Sequence, residues 1–111
     1  MALTQSLQPA VWIEGRGATF PLGFKAGAVW CGLKRKRPDL AVIVADQPCA
    51  AAGVFTQNLV RASSVDFTKK AIADGKAQII FCKAGNANAC TGAHGEWVTQ
   101  QCASLTAAQF G

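Results

Sequence analysis

Ala77-Gln78-Ile79-Ile80-Phe81-Cys82, then Lys83-Ala84, then Gly85-Asn86-Ala87-Asn88-Ala89-Cys90-Thr91-Gly92, carries a compact apolar run straight into a small polar loop. Ile79, Ile80 and Phe81 lie between Gly75 and Gly85, the pattern of a strand with turn residues on either side. The loop is built from glycine, alanine and asparagine, so its backbone can turn sharply, take positive φ and approach a ligand closely. Loops at strand ends are where folds that combine strands with helices place their sites.

Downstream, Trp97, Val98, Cys102, Leu105 and Ala108 or Gln109 recur at steps of three and four, which predicts a helix over 96–110 with Gly111 as its stop. Upstream, 66–74 reads as a short helix, capped by Asp66 or Thr68 and closed by Gly75. Gly53 to Thr56, with Val54 and Phe55, reads as a short extended segment. Leu40 to Ala45 is a nearly continuous apolar run, the signature of a strand covered on both faces, and Asp46, Gln47 and Pro48 should stop it. Residues 1–13 are mixed, with 1–16 expected to be loosely ordered, and Gly15, Gly17, Pro21, Gly23 and Gly27 predict a looped entry. The sum is an alternation of strands and helices around a mostly buried sheet.

With 111 residues, 50% hydrophobic and 15% charged, the chain has the composition of an ordered single domain. No apolar run approaches the roughly 20 residues of a membrane span. Met1 to Trp12 contain no Lys or Arg, unlike a secretory or transit signal, so a cytoplasmic location is expected. The cysteines, Cys31, Cys49, Cys82, Cys90 and Cys102, are odd in number and form no C-x-x-C pair, which argues against a disulfide framework or a zinc site. They are expected to be reduced and mostly buried. Trp12, Trp30 and Trp97 are expected in a core or an interface. The net charge of +5 comes largely from Lys34-Arg35-Lys36-Arg37. Without interleaved aromatics this run reads as a solvated turn, and no nucleic-acid partner is expected.

Chemistry concentrates in the loop. The Thr91 hydroxyl and the Gly92 N–H are two donors able to converge on one oxygen that gains negative charge in a reaction. The plainer alternative is a strand-to-helix connection in which Asn86 and Asn88 make turns and Thr91 caps the helix. Cys90 and His94, four apart, resemble a thiol nucleophile with its base, but no third group to orient the pair is identifiable.

Gly85-Asn86-Ala87-Asn88-Ala89-Cys90-Thr91-Gly92 resembles the signature of the ornithine acetyltransferases, the bifunctional glutamate N-acetyltransferase family. Pro21-x-Gly23-Phe24-x-Ala26 with Gly32 and Lys34, Asp39-Leu40-Ala41 to Asp46, and Ala52-Gly53-Val54-Phe55-Thr56-x-Asn58-x-Val60-x-Ala62 resemble earlier blocks of the same family, in the same order. The resemblance runs from about Gly17 to the end of the chain. It covers a front part of the family's length, all within its α subunit. Lys83-Ala84 departs from the family, which has a small polar pair there.

The resemblance implies an α+β fold, a layered sandwich of sheets and helices, of which 1–111 would be an incomplete amino-terminal domain. It implies acetyl transfer from N-acetylornithine to glutamate in arginine biosynthesis, with acetyl-coenzyme A as a further donor in some members and no bound cofactor or metal. It assigns the oxyanion hole to Thr91 and Gly92, supported by Gly85, Asn86, Asn88 and Cys90. The nucleophile would be a threonine exposed by self-cleavage. Its A-T-G-V-type motif is not found here, so this chain alone is expected to be inactive. Its partners would be the remainder of its precursor, including a β subunit, and amino-acid substrates, in an oligomer with no membrane. The alternative is a non-catalytic binding or structural domain derived from that fold.

Overall fold

The structure is a computed structural model and describes residues 11–110. Its elements are β1 (Phe24–Val29), β2 (Leu40–Ala50), α1 (Ser63–Ala71), β3 (Lys76–Lys83) and α2 (Gly92–Phe110). The strands form one antiparallel sheet in the order β1-β2-β3. β2 is central: Val29 pairs with Leu40 on one side, while Ile43 pairs with Ile80 and Val42 with Phe81 on the other. These cross-strand pairs of β-branched and aromatic residues favour the sheet. The two helices touch each other, and α2 also touches β3.

Several expectations need correction. The entry segment is not all loop: Phe24–Val29 becomes an edge strand because β2 offers it a complete register from Ala45 to Leu40. Asp46, Gln47 and Pro48 do not end β2. The register shifts between Val44 and Cys49 and pairing resumes at Cys49 with Ala77. An irregularity of this kind accommodates a proline, which has no N–H for the ladder. Across it, Gln78 Nε2 donates to the Ala45 carbonyl at 3.1 Å. Residues 53–56 form no strand. Val54 is fully exposed, and β propensity does not express itself without a neighbour to pack on.

The fourth correction concerns α1, which begins at Ser63, not Asp66, after an extended Ala62 with no side-chain cap. Its start is fixed by a tertiary contact instead: Ser63 Oγ donates to the Gly95 carbonyl at 3.0 Å and lies 2.7 Å from Thr99 Oγ1. α2 likewise starts earlier than the periodicity predicts, at Gly92. The expectations for residues 1–10 and for Gly111 lie outside the described residues.

Among the described residues only Asp39, Ala45 and Gly95 are buried. The accessible surface is 9344 Å², against about 5,800 Å² for a compact monomer of this mass. The sheet is therefore half-buried rather than mostly buried, and the described residues do not close a core on both of its faces. Cys31, Cys82 and Cys90 are exposed and Cys49 and Cys102 half-buried, so the cysteines are not mostly buried. Trp12, Trp30 and Trp97 are exposed and belong to no core. No helix among the described residues is long and apolar enough to cross a membrane.

Candidate active site

β3 ends at Lys83, and Gly85 then turns the chain with φ +97°, a conformation glycine adopts at little cost. The turn lies against the basic segment, since a Cβ at Gly85 would come within 2.9 Å of Lys34 Cγ and 3.2 Å of Leu33 O. That segment is itself pinned by Asp39. The carboxylate accepts the Cys31 N–H at 2.7 Å and the Lys34 N–H at 2.8 Å. The Asp39 backbone accepts from Ala84 N–H at 2.9 Å and donates to Val29 O at 3.0 Å. One buried aspartate thus ties the basic turn to β1 and to the exit of β3.

Burial opposes ionisation of Asp39, but the N–H groups of Cys31 and Lys34, with the Cys31 thiol, outweigh it and hold its carboxyl down to about 2. The same carboxylate pushes the Cys31 thiol up, so Cys31 is poorly suited to act as a nucleophile.

Beyond Gly85 the loop meets the start of α1 through an Ala62–Ala89 bridge. Its left-handed residues are Cys90 and Gly92, each at φ 57°, not the asparagines. Asn88 takes part through its backbone carbonyl, not its side chain, so the loop is not built from asparagine side-chain turns. Thr91 Oγ1 donates backward to the Asn88 carbonyl at 3.0 Å and takes no helix N–H, so Thr91 is not a side-chain cap. Gly92 is the first residue of α2; its N–H has no intrahelical acceptor, and nothing lies within 4 Å of where its Cβ would be. Thr91 and Gly92 are both exposed. Two adjacent donors therefore lie at an exposed helix start, the Thr91 hydroxyl engaged with the Asn88 carbonyl and the Gly92 N–H without an intrahelical acceptor, at the end of a helix dipole that favours negative charge.

His94 stacks on Trp97, ring centroids 5.9 Å apart, and no hydrogen bond joins it to Cys90 among the described residues. A depression of about 320 Å³ lies between Phe55, Thr56, Gln57, Arg61, Asp66 and Lys69, and a second of about 180 Å³ includes Pro38, Asp39, Cys82 and Lys83. Neither contains Thr91 or Gly92. The sequence reading missed Asp39, Ser63 and Gly95. Gly95 falls just before the helix predicted over 96–110, and only an earlier helix start would have flagged it as a glycine within a helix. Asp39 and Ser63 act across the fold and carry no comparable local mark.

The sheet, the two helices and this strand-to-helix loop place the chain among α+β proteins of the ornithine acetyltransferase type. The fold superposes on Bacillus halodurans arginine biosynthesis bifunctional protein ArgJ with a TM-score of 0.78 at 39% identity, covering 80% of this chain and 47% of that one. It matches Mycobacterium tuberculosis ornithine acetyltransferase, solved in complex with ornithine, with a TM-score of 0.74 at 39% identity, covering 78% of this chain and 46% of that one. The ArgJ family matches residues 25–111. The arginine biosynthesis bifunctional protein ArgJ of Shouchella clausii is 41% identical over 111 residues, 97% of this chain and 27% of that protein. That of Gloeobacter violaceus is 42% identical over 102 residues, 90% of this chain and 25% of that protein. The chain belongs to the ArgJ family. It spans about a quarter of the length of these curated relatives.

Proposed function

We propose that this segment supplies the oxyanion hole of an acetyltransferase that moves acetyl from N-acetylornithine to glutamate, with acetyl-coenzyme A as a possible second donor. The observation that carries the reading is that the Thr91 hydroxyl and the Gly92 N–H stand side by side at the exposed start of α2, the latter with no intrahelical acceptor. When a nucleophile attacks the acetyl carbonyl, the carbonyl oxygen takes up the electron pair of the broken π bond and becomes an oxyanion. The Gly92 N–H belongs to the backbone that enters α2 and has no side-chain freedom to lose. The Thr91 proton turns from the Asn88 carbonyl to the new oxyanion, a rotation about one C–O bond. A donor oxygen fixed before charge develops keeps the reorganisation small, confined here to that one proton and its bond to the Asn88 carbonyl.

The nucleophile, a threonine freed by self-cleavage, and the amino-acid pocket belong in this reading to the remainder of the precursor, including its β subunit. That remainder would also cover the open sheet and helix faces and form the working oligomer, in the cytoplasm. The chain alone would not transfer acetyl.

The experiment is Thr91→Ala in the complete polypeptide, meaning one of the length of the ArgJ relatives that carries this segment. Acetyl transfer from N-acetylornithine to glutamate should slow by about a hundredfold or more, the usual effect of removing one oxyanion donor, with an unchanged unfolding midpoint. Unaltered turnover would remove the assignment.

A further inference from the structure

We propose that Gly95 is a positioning residue for Thr91: the missing side chain at 95 leaves the notch that holds the Thr91 hydroxyl oxygen in place. The inference rests on the reading of Thr91 as an oxyanion donor.

Gly95 is buried although its neighbours on the first turn of α2 are exposed. A Cβ at 95 would overlap Thr91 Oγ1, and would come within 3.0 Å of Thr91 Cβ and 3.5 Å of the Asn88 carbonyl oxygen. The latter is the oxygen to which the Thr91 hydroxyl donates. Gly95, Asn88 and Thr91 thus form one small recess with the hydroxyl oxygen at its centre. The backbone at 95 is tied in place, so an added methyl displaces the Thr91 side chain instead of drawing back itself. The Gly95 carbonyl accepts from Ser63 Oγ at 3.0 Å and from Thr99 Oγ1 at 2.9 Å, and its N–H donates to Thr91 O at 3.4 Å.

Threonine is β-branched, so its hydroxyl can leave the recess only by jumping a whole staggered well about χ1, carrying its methyl with it. Held as it is, the oxygen stays still and only its proton reorients. Local propensity would favour alanine at 95, because glycine is a poor helix former. The glycine there serves the neighbour, not the helix.

The prediction is that activity and stability part company. In the complete polypeptide, Gly95→Ala should lower kcat for acetyl transfer by about tenfold to a hundredfold, the scale of a misplaced catalytic group. KM and the urea unfolding midpoint should not worsen. In a Thr91→Ala background the same substitution should cost nothing further. In the Gly95→Ala/Thr91→Ser protein, where the hydroxyl carries no branching methyl and can settle in another staggered well, part of the lost kcat should return.

An unchanged kcat in Gly95→Ala, or an equal loss in the Thr91→Ala background, overturns the inference while leaving the oxyanion reading intact. An unchanged kcat in Thr91→Ala alone overturns that reading and the inference with it. If Gly95→Ala does not fold, folding of the double variant with Thr91→Ala locates the overlap at Thr91 and supports the inference. Failure of both to fold counts against it.

Discussion

Gly85 and Lys34 meet where β3 leaves the sheet, so close that a Cβ on one would stand 2.9 Å from Cγ of the other. Gly85 also holds φ +97°, beyond the left-handed basin that other residues occasionally enter. Gly85→Ala therefore has two costs at once, backbone strain and a collision with the Leu33 carbonyl at 3.2 Å. It should destabilise the complete polypeptide by about 1–3 kcal/mol, read as a lower urea midpoint. A midpoint equal to wild type would mean that the basic turn can move away freely.

Asp39 is what keeps that turn in place. Its carboxyl is held down to about 2 from an ordinary 3.8 by N–H groups that outweigh the effect of burial. A depressed carboxylate contributes stability that is present above the ordinary value and is lost as pH falls toward the folded-state value. The Asp39 contribution should thus be intact above about pH 4 and fade between there and about pH 2. Asp39→Asn should be less stable than wild type at neutral pH, and the difference should shrink across that acid window. Urea midpoints at several acidic pH values test this. A difference independent of pH would show that the charge is not what holds Cys31 and Lys34.

The strand at 76–83 and the loop after it were legible because both signals are local: three consecutive large apolar residues, then a run of small ones. Gly53–Thr56 misled because β propensity describes packing on a neighbour, and Val54 has none. The helix starts were legible only to within a few residues. Ser63 begins α1 because of its bonds to Gly95 and Thr99, residues more than thirty positions away. Asp39 was invisible as a hub because its partners, Val29, Cys31 and Lys34 before it and Ala84 far beyond it, form no local motif. The candidate donors, Thr91 and Gly92, were named from the sequence, whereas the recess that holds one of them required the fold.

Cys90 carries the one positive φ among non-glycine residues described, 57°. For a residue with a Cβ this conformation costs roughly 1–2 kcal/mol. Its side chain is exposed and makes no hydrogen bond among the described residues, so little opposes relief of the strain. Cys90→Gly should leave stability unchanged or raise it by up to about 1 kcal/mol, the gain being reduced by the greater backbone freedom of glycine when unfolded. Acetyl transfer should persist, because no role falls to the thiol. A large loss of activity with folding intact would instead revive Cys90 as a nucleophile.

Ser63 and Thr99 both donate to one carbonyl, that of Gly95, and stand 2.7 Å from each other. Removing either hydroxyl leaves the carbonyl with one donor, so each single change should cost only about 1 kcal/mol, the net worth of an ordinary hydrogen bond. Removing both leaves a buried carbonyl with only its helix N–H, so the second lone pair loses every side-chain donor. Ser63→Ala with Thr99→Ala should therefore cost more than the two single changes together, with a coupling of about 0.5 kcal/mol or more. The same pair should raise amide exchange in the first turns of α2 ahead of global unfolding, since the bond from Ser63 is a direct tie between the helices there. Strict additivity, with exchange in α2 unchanged, would show that the helices are joined by their apolar contacts and not through the Gly95 carbonyl.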